Sequence, residues 1–393
     1  MARYYLVLAA LVPFMVSAAV PGRQMSKSPA HVILFVIDGL SYKAWDRLSI
    51  PVLRRLANEG AVVEKDYLPP AAHPRTGAYA DLHTCSIPNP IMMSGTVFIT
   101  RQTAYLHQSF PDYSTAFAVN SNAYPTLAAG YGHVYQKPGP DAESVRAALS
   151  MMQLYKPRFM RVHLQNAGSA GSECMSTEKN VAWRSNIWAD GSPYRLAVEK
   201  ADSLLGGFID GLRRLGILDE CSFLIVGDHG QDDGGWHPLQ MPDGAITTMV
   251  LWGKGIHKGV RIPYAEHIDI VPTLSSLAGV APPETSQGCV ISEALEGLHG
   301  TSLTRKVTIK ELNEQLGFYN RAIIQAAYSI DQLPLVRQGF FYSRLDQIKQ
   351  GFYDIGRFTD WPRFKNLEDL YSNNRSALTS LQNLRAKLDT TMK

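Results

Sequence analysis

Four short apolar, β-branched runs that close on polar side chains restrict the fold of this 393-residue chain more than any other feature: HVILFVID (31–38), RFMRVHLQN (158–166), SFLIVGDHG (222–230) and ITTMVLWGKG (246–255). Runs of strand length that are apolar throughout read as strands buried on both faces, which is the signature of a parallel sheet. Between them lie helical patterns. In SPYRLAVEKADSLLGGFIDGLRRLG, Ala197, Ala201, Leu205, Phe208, Leu212 and Leu215 recur at three- and four-residue steps. Ser192 is placed to cap that helix, Pro193 suits its first turn and Gly216 can end it. A shorter helix is expected from Pro51 to near Gly60. Strands alternating with helices predict an α/β fold with a largely parallel central sheet and helices on both faces. Sites on such sheets form beyond the carboxyl ends of the strands, where Asp38, Asn166, Asp228 and His229 stand.

Hydrophobic residues make up 45% of the chain and charged residues 19%, enough apolar side chain for a sizeable core. A net charge of +3 gives no reason to expect nucleic acid as a partner. Residues 1–19 combine an early Arg3, an apolar run from Tyr4 to Val16 and small residues at 17–19, the layout of a signal peptide; a secreted or periplasmic protein is expected, with no membrane span after cleavage. Cys85, Cys174, Cys221 and Cys289 would then allow three complete disulfide pairings that the sequence does not rank. Residues 28–300 are expected to form the α/β domain. Residues 301–393 are expected to form a mainly helical extension packed on it, with an aromatic stretch at 339–364 and a last helix carrying Leu378, Leu381, Leu384 and Leu388. The oligomeric state is not legible.

The chemistry concentrates in a few residues. A carboxylate beside an imidazole in Asp228-His229-Gly230 offers two ligands of the kind zinc takes, and Asp38 at the end of the first run supplies a third. Each has an ordinary alternative, helix capping for the aspartates and a turn hydrogen bond for the histidine. A hydroxyl in HTCSIPNPIMMSG (83–95) could bind the same ion and be deprotonated by it; Ser86 is the choice, with Thr84 and Ser94 as alternatives. Zinc is the expected ion, and manganese and calcium also suit two carboxylates and an imidazole.

Over about residues 30–280, the strings VIDGL, SIPNPIMMSG, GSPYRLAVEKAD, IVGDHGQ, GGWHP and EHIDIVPTLSSLAG resemble the alkaline phosphatase superfamily. The resemblance is greatest to its phosphodiesterase and nucleotide-pyrophosphatase-like members, with sulfatases as relatives. It implies that Asp38, Ser86, Asp228 and His229 surround one metal ion, that Ser86 attacks phosphorus and that a phospho-serine intermediate is then hydrolysed. His237 in GGWHP looks like a ligand of a second ion. Two-metal members carry an aspartate at the end of the HLQNAGSAGSE strand and a histidine four residues later; here Asn166, a neutral oxygen ligand, and Ala170 stand there. A shifted alignment would recruit His163 or Glu173. With the second site depleted, one ion is expected, and His237, His83 or Lys254 would have to steady the leaving oxygen. Asn89, in the Pro-Asn pair after Ser86, and His83 before it are candidate substrate contacts.

The implied activity is that of an exported metal-dependent phosphoric ester hydrolase, a phosphodiesterase or phosphatase acting on a small-molecule phosphate ester. A catalytically reduced binding protein on the same fold is an alternative. A sulfuric ester hydrolase is another, but the formylglycine motif fails: Cys85 has Ile87 where proline is needed, and Ser86 has Pro88 but Pro90 in place of arginine. No Gly-x-Ser-x-Gly elbow occurs. Residues 66–82 and 171–192 read as loops near the strand ends, whose Tyr79, Trp183 and Trp188 either stack on a substrate ring or pin the loops.

Overall fold

A computed structural model describes residues 28–69, 82, 91–93, 96–98, 105–237, 241–284, 286–298, 307–353 and 367–392. Its centre is a nine-stranded sheet built from β1 (His31–Ile37), β2 (Ala61–Tyr67), β5 (Thr115–Val119), β6 (His133–Gln136), β7 (Phe159–Leu164), β8 (Cys221–Val226), β9 (Ile246–Gly253), β10 (Val260–Ile262) and β11 (Ala265–Glu266). The strand order is β10-β2-β9-β8-β1-β7-β5-β6, with β11 also on β2. A separate hairpin joins β3 (Ile91–Met93) to β4 (Thr96–Phe98).

The pairs β1–β7, β1–β8, β5–β7, β5–β6, β10–β2 and β11–β2 are parallel. The ITTMVLWG run departs from the parallel expectation, because β9 is antiparallel to both β8 and β2. A parallel return needs a crossover of a dozen or more residues, usually a helix, and between β8 and β9 the described chain forms turns and one helical turn at Pro242–Ala245.

The period-two alternation along each strand feeds two cores. Ile33, Phe35 and Ile37 of β1 join Met160, Val162, Leu164, Phe223 and Ile225 beneath α1 (Pro51–Glu59), α2 (Asp141–Tyr155), α3 (Asn166–Ser176) and α4 (Pro193–Arg214). Val32, Leu34 and Val36 face the other way, into a core shared with α5 (Ile270–Ala278) and the C-terminal helices α6 (Ile309–Asp331), α7 (Leu335–Gly351) and α8 (Leu367–Met392). Both faces are therefore covered, as an α/β sheet requires. In α4 Pro193 opens the helix as expected, but the Ser192 hydroxyl makes no cap bond and lies 3.5 Å from Cys174 Sγ. The buried Asp202 of α4 instead accepts from Val52 and Leu53 N–H and so satisfies the first turn of α1.

Residues 171–176, expected to be loop, are helical and continue α3, and the aromatic stretch begins inside α7. Cys174 and Cys221 are free, buried thiols, while Cys85 lies outside the described residues. No helix among the described residues is long and apolar enough to cross a membrane, and residues 1–19 lie outside them.

Candidate metal centre at the strand ends

Three parallel strands deliver the cluster. Asp38 follows β1, Asp228 follows β8 by one glycine, and His163 is the penultimate residue of β7, paired in register with Val36. Asp38, His163 and Asp228 offer ligand atoms that all lie within 4.8 Å of one another, and all three are buried, so they form a candidate divalent-metal site. His229 completes the cluster, with Nε2 3.6 Å from Asp38 Oδ1 and 3.7 Å from Asp228 Oδ2.

Hydrogen bonds separate the roles of the two imidazoles. His229 Nδ1 donates to the Gly230 carbonyl at 2.8 Å, so its Nε2 carries a lone pair. That atom and Asp228 Oδ2 have no hydrogen-bond partner among the described residues, although both residues are buried. A lone pair set 3.7 Å from an ionised oxygen in a dry interior is repulsive unless a cation lies between them. His163 is the converse case. Arg161 Nη2 lies 2.8 Å from its Nδ1 and the Gln165 amide nitrogen 2.9 Å from its Nε2, and since a guanidinium and an amide –NH2 can only donate, both ring nitrogens face donors. Burial holds the His163 pKa below the usual imidazole range, against the pull of Asp38. Its Nε2 faces Asp38 Oδ2 at 3.7 Å and Asp228 Oδ2 at 4.0 Å. In this arrangement His229 Nε2 is set to ligate, while both nitrogens of His163 face donors from neighbouring side chains.

The surroundings hold the carboxylates in place. Gly39 N–H donates to Asp228 Oδ1 at 2.8 Å, leaving Oδ2 turned into the cluster. Gly39 sits at φ +67°, a conformation glycine takes without strain. Tyr194 fixes the same turn, donating to the Gly39 carbonyl at 2.8 Å and accepting from Ser41 N–H at 3.0 Å. Helix α3 packs so close that a Cβ on Gly168 would run into Asp38 Oδ1.

At the end of β7 the structure departs from the expected placement. Gln165, rather than Asn166, reaches the cluster: its amide donates to Asp38 Oδ2 at 2.7 Å and comes within 2.9 Å of His163 Nε2. Asn166 is exposed at the start of α3 and accepts from Asn120 Nδ2 at 2.9 Å. The reason is the two-residue period of the strand, which sends His163 and Gln165 to one side and the intervening Leu164 into the opposite core. Asp141 anchors this corner, accepting from the N–H groups of Gln165 and Asn166, and burial pushes its pKa up to about 6.

His237 is buried and stacks on His229 with ring centroids 4.3 Å apart and planes 10° off parallel. Lys254 lies at the far edge of the sheet, because antiparallel β9 carries it to the start of β8, where its N–H meets Cys221 O at 2.9 Å and its ammonium meets Glu220 at 2.5 Å. It is therefore removed from the candidates for the leaving oxygen. Trp188 pins its loop, donating to Asp233 at 2.7 Å while Arg47 lies over its ring. Trp183 packs against the α4-side core, and Tyr79, Ser86, His83, Asn89, Thr84 and Ser94 lie outside the described residues. Arg161 and Gln165 were not foreseen, since an arginine inside an apolar run carries no sequence signal of its partner.

The Sulfatase family model matches residues 93–280. Over 103 residues the chain is 29% identical to choline-sulfatase of Rhizobium meliloti (strain 1021), a match covering 25% of this chain and 20% of that protein, so it spans about a fifth of that relative. Two solved structures share the fold. One is the phosphonate monoester hydrolase SpPMH from Silicibacter pomeroyi, with TM-score 0.55 and 14% identity over 70% of this chain and 78% of that one. The other is an alkaline phosphatase superfamily protein from Vibrio parahaemolyticus, with TM-score 0.50 and 16% identity over 67% and 69% of the two chains.

Proposed function

We propose, from the likeness to the Sulfatase family model and to the fold of alkaline phosphatase superfamily structures, that the chain belongs to that superfamily and is an exported, metal-dependent hydrolase of small phosphoric or phosphonic esters, with Ser86 as nucleophile. The observation that carries the reading is the pairing of Asp228 Oδ2 with His229 Nε2, two buried ligand atoms 3.7 Å apart with no other partner among the described residues.

Asp38, Asp228 and His229 would hold the ion, which when bound polarises the ester and lowers the pKa of a hydroxyl beside it. The chain's own groups do the rest. Gln165 and the Gly39 N–H orient Asp38 and Asp228, so the carboxylates need not reorganise as charge develops. His163, kept neutral by burial and oriented by Arg161, packs beside Asp38 and Asp228. His237, packed on His229, is the group left to meet the leaving oxygen. In the same reading, residues 28–300 are the catalytic unit and residues 301–393 its cover, and residues 1–19 direct export.

A sulfuric ester reading draws on the Sulfatase match and the choline-sulfatase likeness. The missing arginine of the formylglycine motif weighs against it.

The test is metal content of the purified chain alongside turnover of chromogenic phosphate monoesters, diesters, phosphonates and a sulfate ester, for wild type and Ser86→Ala. About one ion per chain, with phosphoester turnover that disappears in Ser86→Ala, supports the reading. No turnover on any ester after zinc, manganese and calcium are each restored would leave a binding protein on this fold.

A further inference from the structure

At the same edge of the sheet as the carboxylate cluster lies a pocket of about 200 Å³ that the chemistry above does not use. Its walls are Tyr67 at the end of β2 together with Met241, Pro242 and Ile246, and its rim is formed by Lys310 and Arg321 of α6. The pocket is joined to the metal-ligand turn through the backbone. Gly230 N–H donates to Gly244 O at 2.9 Å, Leu68 N–H donates to Ala245 O at 2.9 Å, and Asn313 of α6 donates to Leu68 O at 3.0 Å. Three hydrogen bonds thus run from the Asp228-His229-Gly230 turn to the C-terminal helix.

Its chemistry is selective. The wall is largely apolar, with Tyr67 held tilted against Tyr264 at 5.1 Å. An apolar cavity of about 150 Å³ is already enough to take up a benzene ring. Lys310, Asn313, Glu314, Gly317 and Arg321 recur at helical spacing on one face of α6, and Gly317 leaves that face without a side chain. Lys310 is shared with Glu314 at 3.9 Å, whereas the exposed Arg321 makes no ion pair among the described residues. One uncompensated guanidinium beside a flat apolar wall complements a flat apolar group carrying an anion.

We propose that this pocket is a specificity subsite for the organic group of the ester, and that it selects an aromatic or similarly flat group bearing an acidic substituent. The proposal rests on the hydrolase reading for the ester itself. It gives the C-terminal region a definite role, because α6 supplies the cation while the α/β unit supplies the wall and the reacting centre.

The experiment compares 4-nitrophenyl phosphate with 3-carboxy-4-nitrophenyl phosphate in turnover, and the two free phenols in equilibrium titration, for wild type, Arg321→Gln and Gly317→Leu. Gly317 is half-buried in the pocket lining and leucine is the better helix former, so Gly317→Leu fills the pocket, and a melting curve verifies that α6 stays folded. The carboxylated compound should be favoured about tenfold in both measurements by wild type, and both variants should bring the ratios close to one. A wild-type ratio of one in the titration, or variants that keep the preference, overturns the subsite. Turnover without preference overturns the subsite and leaves the hydrolase reading standing. Preferential binding without turnover of any ester does the reverse.

Discussion

Two buried groups of aspartate and histidine in this molecule have similar composition and opposite construction. At the end of β2, Asp66 Oδ2 and His267 Nδ1 are 2.6 Å apart and fully buried, a direct charge-assisted hydrogen bond. At the ends of β1, β7 and β8, the nitrogen–oxygen separations between Asp38, Asp228, His163 and His229 are 3.6 to 4.0 Å. The first distance is a direct hydrogen bond, although Asp66 Oδ1 is left without a partner among the described residues. The second set is too long for hydrogen bonds and suits atoms converging on a shared cation. Burial of an aspartate beside a histidine therefore says little; the spacing separates a hydrogen-bonded pair from atoms set to converge on a cation.

The contrast breaks most sharply at Asp228. Asp228→Ala should lose the bound ion and lower turnover about a thousandfold, the several kcal/mol of transition-state stabilisation a metal supplies, with His229→Gln in the same direction. Elemental analysis and initial rates check both. Asp66→Ala should do the converse, leaving ion content per folded chain unchanged while destabilising the protein by about 3 to 5 kcal/mol, because a buried partner is stranded. Urea unfolding of the ion-loaded protein measures it.

A pH series supplies the background against which both groups are compared. Burial lowers the His107 pKa to about 4 from 6.5. Between those values the unfolded chain takes up a proton that the folded chain refuses, so this contribution is intact above about 6.5 and is lost as pH falls toward 4. Asp141 has the opposite sign. Its folded pKa of about 6 against 3.8 means that its contribution is full below 3.8 and is lost as pH rises through 6. Each is worth up to about 3 kcal/mol, so the two largely offset in wild type. As pH falls from 6 to 4, His107→Gln should gain stability relative to wild type and Asp141→Asn should lose it, and denaturation at several pH values would show curves that diverge. The smallest effect is expected at His163→Gln, which should keep the ion but weaken it about tenfold, as loss of an outer partner does. Loss of the ion altogether would make His163 a ligand and overturn the distinction between the two imidazoles.

Much of this architecture was legible in the sequence. The apolar runs located β1, β7, β8 and β9, and their polar ends located Asp38, Asp228 and His229 at one edge. The direction of β9 was not legible, because an apolar run looks the same whichever way it is threaded; with it went the placement of Lys254. The choice between Gln165 and Asn166 was also out of reach by alignment of motifs, since a one-residue difference in register decides which side chain turns toward the cluster.

Local patterning alone thus determined the α/β class, the helical C-terminal region and the residue types available for chemistry, because periodicity and turn residues act over a few positions. Tertiary structure decided what those residues are to one another. It set His229 Nε2 against the Asp38 carboxylate from a distant strand, while donors occupy both ring nitrogens of His163. It also brought α6 against the end of β2. The Asp38–His229 and α6–β2 contacts span more than 100 positions of chain, set by packing of elements whose local sequence carries no record of their neighbours.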